Sequence, residues 1–451
     1  MRRVYVSEVI DELGLSKFTW MVFLVLLGAM IFDGLDYMIV SFTMPQISKE
    51  WALTKVQTGS LASWGLLGLV IGGAISGLIS DRIGRKKTLI WACVFYSLLT
   101  FLIYFAPNFE TFAILRVLAG VGLGAFIPVC VTLISEFAPT KVRGVFVSSS
   151  LAAIVFGWVI AGLVAIPIVP RLGWRPCYVI GCVSLLYALV IAMLPESIHW
   201  LLSKGRGEKA VDIIRRMEES ARGVAREWSP ENLLVPPPPR SVGVGALFSR
   251  EYCLSTIGLM LMFFLGYTSV YGVTSWMPTL LLEKGLPIAK SYGYSVGLNV
   301  GAAIGNVFTG WVGDKIGRKR NIVFGFLVAA LAIILLAYAS GEMQTLAACV
   351  FVGLTINYAL TGIQPLSAEV YRTEFRNTGV AWTQAFGRLG GFLAPIFAGY
   401  VQQRGAGFSG TLLWFVIPAV VGAIVTAFFV RYETKGKRLE DIASEVLGGD
   451  R

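Results

Sequence analysis

The chain has little charge. Of its 451 residues only 14% are Asp, Glu, Lys or Arg, against about a quarter in soluble globular proteins. That deficit excludes a chain hydrated along its whole length. Histidine is nearly absent, with His199 alone. The six cysteines (Cys93, Cys130, Cys177, Cys182, Cys253 and Cys349) lie in or beside apolar stretches, without CxxC or Cys/His spacing. Structural zinc and a disulfide framework are therefore not expected, and no metal site is. The sequence also lacks a Ser/His/Asp or Cys/His arrangement, a phosphate-cradling glycine loop and a Walker sequence, so neither an enzyme nor an ATP-driven pump is expected. No small-residue cleavage site follows the first apolar run, which should be retained as a span. A net charge of +11 would suit nucleic acid, but the basic residues sit between apolar runs and form no stripe; no nucleic-acid partner is expected.

Apolar runs fill the remainder, and hydrophobic residues make up 56% of the chain. A run of 18 or more can cross a hydrocarbon core of about 30 Å as a helix, and lipid forces such runs to satisfy their own backbone hydrogen bonds. The spacing predicts helices over 18–44, 57–80, 88–106, 111–135, 145–169 and 175–194. A second set follows over 253–282, 292–313, 321–340, 345–369, 378–402 and 411–431. The expected fold is thus an all-α polytopic membrane protein of twelve transmembrane helices in two six-helix bundles. A polar N-terminal segment (1–17) precedes the first bundle (18–194). A central loop (195–252) separates it from the second (253–431), and a tail (432–451) ends the chain. The loop should hold an amphipathic helix near 206–227 and a stiff spacer at Pro236–Pro239. Most of the 38 lysines and arginines fall in the termini and one alternating set of loops. The other loops keep only Lys49, Lys55, Arg171, Arg175, Lys284, Lys290 and Arg404. The positive-inside rule then places both termini in the cytoplasm, in a multi-pass bacterial-type inner membrane.

The chain also repeats itself. Ser80-Asp81-Arg82-Ile83-Gly84-Arg85-Lys86 returns as Gly313-Asp314-Lys315-Ile316-Gly317-Arg318-Lys319. Glu136 with Arg143 returns as Glu369 with Arg376, and Pro45 as Pro278, always 233 residues later. Three matches at one offset imply two halves of the same orientation, related by a pseudo-two-fold axis along the membrane normal. Such a duplication is expected to enclose a cavity near the midplane, served by alternating access.

The doubled Gly-x-x-x-Asp-Arg/Lys-x-Gly-Arg-Lys loop (Gly77–Lys86 and Gly310–Lys319) resembles the signature of the major facilitator superfamily. Phe32-Asp33-Gly34-Leu35-Asp36 resembles the first-helix element of its aromatic acid:proton symporters. Pro195-Glu196-Ser197 and Arg116 occur in similar contexts in those symporters and in sugar porters, whereas the Gly-Pro-rich element of drug:proton antiporters is missing from 148–169. The resemblance implies a cytoplasmic gate of charge clusters: Asp81, Arg82, Arg85, Glu136 and Arg143, then Asp314, Arg318, Glu369 and Arg376. It implies proton-coupled uptake of a small organic anion, and specifically an aromatic monocarboxylate such as benzoate, hydroxybenzoate or nicotinate. A sugar or polyol symporter is the alternative, and a membrane sensor that binds without moving its ligand is a further one. No cofactor is expected beyond protons as coupling ion, and the chain should act as a monomer in the bilayer.

The repeat supplies its own control for the residues that carry chemistry. Asp33 corresponds to Gly266, Asp36 to Ser269, Arg116 to Cys349 and Arg388 to Val155. The gate charges are duplicated and these four are not, so architecture alone does not require them. Ionisable groups at membrane depth are costly and mark ion or substrate paths. Asp36 and Arg116 are the expected proton-coupling pair: burial favours a neutral carboxyl, a nearby guanidinium favours a charged one, and separating the two exchanges a proton. Asp33, on the same helical face, is expected to share the proton or hydrate the path. A static pair tying two helices together is the other role open to Asp36 and Arg116. Arg388 is expected to anchor the substrate carboxylate, or else to pair with a carbonyl or an acid of its own half. Tyr37, Trp276, Asn299, Asn306, Asn357, Tyr358, Gln364, Trp382 and Gln384 could sandwich and orient an aromatic ring, though helix packing is open to each. His199 reads as a loop residue.

Overall fold

Helix overlaps every expected apolar run and overruns many of them at one end, but it stops short of the ends expected at 106, 194 and 340 and is interrupted at Phe415 within the last. The computed structural model describes residues 3–235, 244–371 and 376–430. The Pro236–Pro239 spacer, the 432–451 tail and the last residue of the final expected span lie outside the described residues. A short strand β1 (Val4–Tyr5) and helix α1 (Val6–Leu13) come first. Then follow α2 (Lys17–Glu50), α3 (Lys55–Ile83), α4 (Arg85–Leu102), α5 (Phe109–Phe137), α6 (Thr140–Leu172) and α7 (Ile180–Ile191). The central region holds α8 (Ile198–Ser203), α9 (Gly207–Arg222) and strand β2 (Leu233–Leu234). The second half comprises α10 (Cys253–Glu283), α11 (Ile288–Ile316), α12 (Arg318–Ala337), α13 (Glu342–Val370), α14 (Arg376–Gln403), α15 (Gly407–Trp414) and α16 (Val416–Phe429).

Among the described residues, nine helices are long and apolar enough to cross a membrane. The expected spans that fall short do so for visible reasons. α11 carries Lys290, Asn299, Asn306, Asp314 and Lys315, and α14 carries Arg376, Gln384, Arg388, Gln402 and Gln403. The sixth is short, 17 residues over Arg175–Ile191.

The duplication is kept to the residue. Adding 233 to the bounds of α3 (Lys55–Ile83) gives those of α11 (Ile288–Ile316), and α5 (Phe109–Phe137) gives α13 (Glu342–Val370). Gly84 and Gly317, between the paired helices, have φ of 103° and 96°, a region that costs a residue with a Cβ. Close helix approach is duplicated as well. A Cβ on Gly68 would lie 2.0 Å from the Val117 carbonyl oxygen, and one on Gly301 would lie 2.0 Å from that of Val350.

By its contacts the chain divides into two compact units. The first comprises Met1–Tyr37, Leu67–Gly157 and Arg175–Pro238; the second comprises Met38–Leu66, Trp158–Trp174 and Pro239–Arg451. The borders therefore cut α2, α3 and α6. Within the second unit the reason is direct: Tyr292 donates its hydroxyl to the Phe42 carbonyl, Lys55 pairs with Glu283, and Asn299 Nδ2 donates to the Trp158 carbonyl at 3.4 Å. A Cβ on Gly59 would stand 2.0 Å from the Pro395 oxygen. These contacts seal the ends of α2, α3 and α6 that are remote from the repeated Asp-Arg loops onto the helices of the second half.

In the first unit the hydrophilic central region folds with the N-terminal segment. β1 pairs in parallel with β2, and Val6, Val9 and Ile10 share a core with Ala210, Val211, Ile214 and Met217 of α9. Asp11 accepts from the backbone N–H and hydroxyl of Thr140 at 2.6 and 2.7 Å, at the start of α6. Glu218, fully buried, accepts from Arg226 Nε at 2.6 Å and Trp228 Nε1 at 2.9 Å, while Arg226 reaches Glu12 at 2.7 Å. Burial pushes the Glu218 carboxyl up, but the hydrogen bonds from Arg226 and Trp228 outweigh it and hold the group below its ordinary value. A carboxyl lowered on folding stabilises above its unfolded pKa and loses that contribution as pH falls through the folded one. Limited proteolysis should therefore leave the α1/α9 cap intact near neutral pH and cleave it several-fold faster below the carboxylate range. Glu218→Gln should bring rapid cleavage to neutral pH.

Candidate functional site

The short sequence Phe32-Asp33-Gly34-Leu35-Asp36 serves packing and charge at once. Gly34 faces α6, where a Cβ would meet the Ile154 carbonyl oxygen at 1.9 Å. Asp36 faces the other way, towards α4 and α5. Its Oδ2 lies 3.0 Å from Arg116 Nη1, and its Oδ1 accepts from the Thr100 hydroxyl at 2.5 Å. Arg116 Nη1 also approaches the Asp36 carbonyl at 3.4 Å. Arg116 is 0% exposed and Asp36 1%. The pair is fully desolvated, so each charge depends on the other. The contact uses one guanidinium nitrogen; Nε and Nη2 of Arg116 have no hydrogen-bond partner among the described residues. Asp33 is buried one turn earlier.

Thr100 was not among the residues read from the sequence. A threonine in an apolar run attracts no attention, yet the repeat could have exposed it: its counterpart is Ile333, so this hydroxyl too belongs to one half only.

In the second unit the expected substrate groups take several environments. Arg388 is half-buried and makes no ion pair or hydrogen bond among the described residues. Phe263, Tyr267 and Tyr271 follow at helical spacing on α10, with Tyr267 and Tyr271 stacked at 5.6 Å and Trp158 6.2 Å from Tyr271. Tyr267 lies against Gly387 and Tyr271 against Gly391, each within a turn of Arg388. That aromatic column was missed, although its i, i+4, i+8 spacing is readable. Trp276 is fully buried and donates Nε1 to the Pro395 carbonyl at 2.9 Å, inside the sealed end. Asn299 is held by Trp158, Asn306 accepts from the Thr361 hydroxyl at 2.7 Å, and Asn357 donates to the Gly353 carbonyl at 3.3 Å. Tyr358 donates to Asn321 on α12. Gln364 and Gln384 are half-buried, Trp382 is exposed, and Tyr37 is buried at the end of the first unit's share of α2.

The repeated charge loops form matching clusters. Arg85 lies 2.9 Å from Asp81 and 3.9 Å from Glu136; Arg318 lies 2.8 Å from Asp314 and 3.3 Å from Glu369. Arg376 donates to the Tyr371 carbonyl at 3.3 Å, and Arg143 and Arg82 stand half-buried and exposed beside their loops. His199 is more than a loop residue, with Nδ1 3.8 Å from Glu136. Glu196 accepts from the Lys86 and Ser197 N–H groups at 3.0 and 2.9 Å, pinning the start of α4. Among the described residues no cluster of His, Cys, Asp and Glu could hold a metal.

Two halves that repeat at one offset, with doubled charge loops, are the features of a transporter of the major facilitator type. Residues 21–446 match the sugar (and other) transporter family, and the chain belongs to it. It is 32% identical over 442 residues to the niacin transporter NiaP of Acinetobacter baylyi, covering 96% of this chain and 98% of the relative. It is 30% identical over 430 residues to the 4-hydroxybenzoate transporter PcaK of the same organism, covering 94% and 93%. The fold matches the xylose transporter XylE from E. coli in a partially occluded inward-open conformation, with a TM-score of 0.75, 22% identity and coverage of 94% and 100%. The protein is a multi-pass protein of a bacterial-type inner membrane.

Removing Arg116 strands a buried carboxylate. Arg116→Ala should lower stability by about 3–5 kcal/mol, whereas Asp36→Asn/Arg116→Gln should recover much of the loss. Thermal unfolding of the purified variants at neutral pH checks the order.

Proposed function

We propose that the protein imports a small aromatic monocarboxylate together with protons, by alternating access and without any other cofactor. The observation that carries this reading is the Asp36–Arg116–Thr100 cluster. It is an acid, a permanent cation and a hydroxyl donor buried in one half of a duplicated molecule, with Ser269, Cys349 and Ile333 at the equivalent positions. The names of the relatives, niacin and 4-hydroxybenzoate transporters, support an aromatic acid as cargo.

Asp36 is the proton carrier in this account. Arg116 and Thr100 contact it in the state seen here. When the cycle draws them apart, Asp36 is left in an apolar wall and takes up a proton; renewed contact expels it. A single-nitrogen contact suits repeated breaking better than a bidentate fork. Arg388 binds the substrate carboxylate, since a half-buried guanidinium without a partner among the described residues has its fork available for an anion. The column of Tyr267, Tyr271 and Trp158 provides faces for an aromatic ring. Uptake of an anion with more than one proton carries positive charge inward, so both the pH gradient and the membrane potential drive it. The paired clusters at Arg85 and Arg318 latch the cytoplasmic ends, and one chain suffices for the cycle.

Reconstituted into proteoliposomes under an imposed inward proton gradient, the chain should accumulate 4-hydroxybenzoate, benzoate or nicotinate and not sugars. Accumulation of xylose in place of the acids would overturn the reading. Asp36→Asn should abolish gradient-driven accumulation while counterflow exchange persists; undiminished accumulation would remove Asp36 from coupling. Arg388→Ala should raise KM for the acid about tenfold or more, the cost of a charge-assisted hydrogen bond, and an unchanged KM would take Arg388 out of the binding site.

A further inference from the structure

Where α3 ends and α4 begins, the first unit carries a cationic concavity beside the Asp81–Arg85 cluster. Arg82, Lys87, Lys204 and Arg206 line it with Ile83, Trp91 and Trp200, around an open volume of about 530 Å³. No acid lines it, and none of the four cations makes an ion pair within 4 Å among the described residues. The neighbouring carboxylates are already engaged: Asp81 by Arg85, and Glu196 by the Lys86 and Ser197 N–H groups. The floor is built, since Trp200 is buried, donates Nε1 to the Asp81 carbonyl at 3.0 Å and carries the Arg206 guanidinium over its ring at 5.4 Å.

An apolar track leads away from this mouth. Lys87 lies one turn before Trp91, and Trp91, Phe95, Leu98 and Leu102 recur at helical spacing along α4, followed by Phe105 in the 3-10 turn after it, all exposed, Trp91 to 66%. From Trp91 to Leu102 the track runs about 16 Å at 1.5 Å per residue, about half the thickness of a hydrocarbon core. A cluster of unpaired cations at one end and a leaflet-length lipid-facing stripe below it match one kind of molecule. We propose that this surface is a binding site for an anionic phospholipid of the cytoplasmic leaflet. Its phosphate lies among Arg82, Lys87, Lys204 and Arg206, and an acyl chain lies along the α4 stripe. Charge complementarity selects the anionic headgroup, and the stripe selects a lipid over a soluble phosphate. Because Lys204 and Arg206 flank α8–α9 and Arg82 and Lys87 flank the α3–α4 turn, one bound headgroup ties the central region to the turn that holds the Asp81–Arg85 cluster.

The test is native mass spectrometry of the full chain in detergent, titrated with phosphatidylglycerol or phosphatidylcholine of identical acyl chains. One phosphatidylglycerol should be retained at least about tenfold more tightly than phosphatidylcholine, since basic residues at such a surface attract the anionic headgroup. Lys87→Gln/Lys204→Gln/Arg206→Gln should lose the preference, Lys87→Arg/Lys204→Arg should keep it, and Trp91→Ala should weaken retention several-fold. Equal retention of both lipids by the unmodified chain would overturn the proposal whether or not the variants fold. So would displacement of the lipid by inorganic phosphate at equal concentration, which would mark a soluble-anion site.

Discussion

One buried ion pair is the constraint on which the chemistry of the first unit depends. Asp36 and Arg116 are almost wholly excluded from solvent and meet at 3.0 Å, in surroundings where an isolated charge of either sign is costly. Such a pair adds little stability over an apolar substitute, so its presence in only one of two matched halves points to a task. The chain spends a good deal of structure on holding it. Gly34, two residues before the acid, lets α6 approach by its backbone, which fixes the rotation of α2 and turns Asp36 towards Thr100 and Arg116. Packing and chemistry are thereby specified by the same five residues.

The two halves share a frame and differ in what they place in it. α3 and α11, and α5 and α13, coincide in their bounds after one offset, and Gly68 and Gly301 meet the same carbonyl position at the same distance. The Arg85 and Arg318 clusters repeat within a few tenths of an ångström for the short contact. Against that identity, the replacement of Asp36, Arg116 and Thr100 by Ser269, Cys349 and Ile333 separates function from architecture without reference to any other protein. The second half instead holds Arg388, without an ion pair among the described residues, and an aromatic column. On the proposed function, protons fall to one half and the anion to the other.

Much of this was legible in the sequence because lipid simplifies the code. Apolar runs become helices, and the expected spans overlap the observed ones, which add polar ends such as Lys17 and Lys55 and stop short of the ends expected at 106, 194 and 340. The repeat and the unpaired charges were equally open to reading, since both are properties of the sequence itself. What escaped depends on tertiary contact. Thr100 is one of many hydroxyls in apolar helices, and only its distance to Asp36 singles it out. The seal made by Tyr292, Lys55 and Glu283 joins residues more than two hundred positions apart. Trp276 reads as a ring available to substrate, and its indole is committed to Pro395. The central region reads as a polar insertion because its buried side comes from α1, far away in the chain. Glu218 looks like a surface acid until Arg226 and Trp228 are seen to enclose it.

The central claim is that Asp36 changes protonation state as its contact with Arg116 opens and closes during the cycle. Infrared difference spectroscopy on the reconstituted protein, recorded on addition of 4-hydroxybenzoate, observes that change directly. The account predicts a protonated-carboxyl band that appears or disappears with substrate in the unmodified chain and is missing in Asp36→Asn. A substrate-induced carboxyl band that survives the Asp36→Asn substitution unchanged would contradict it.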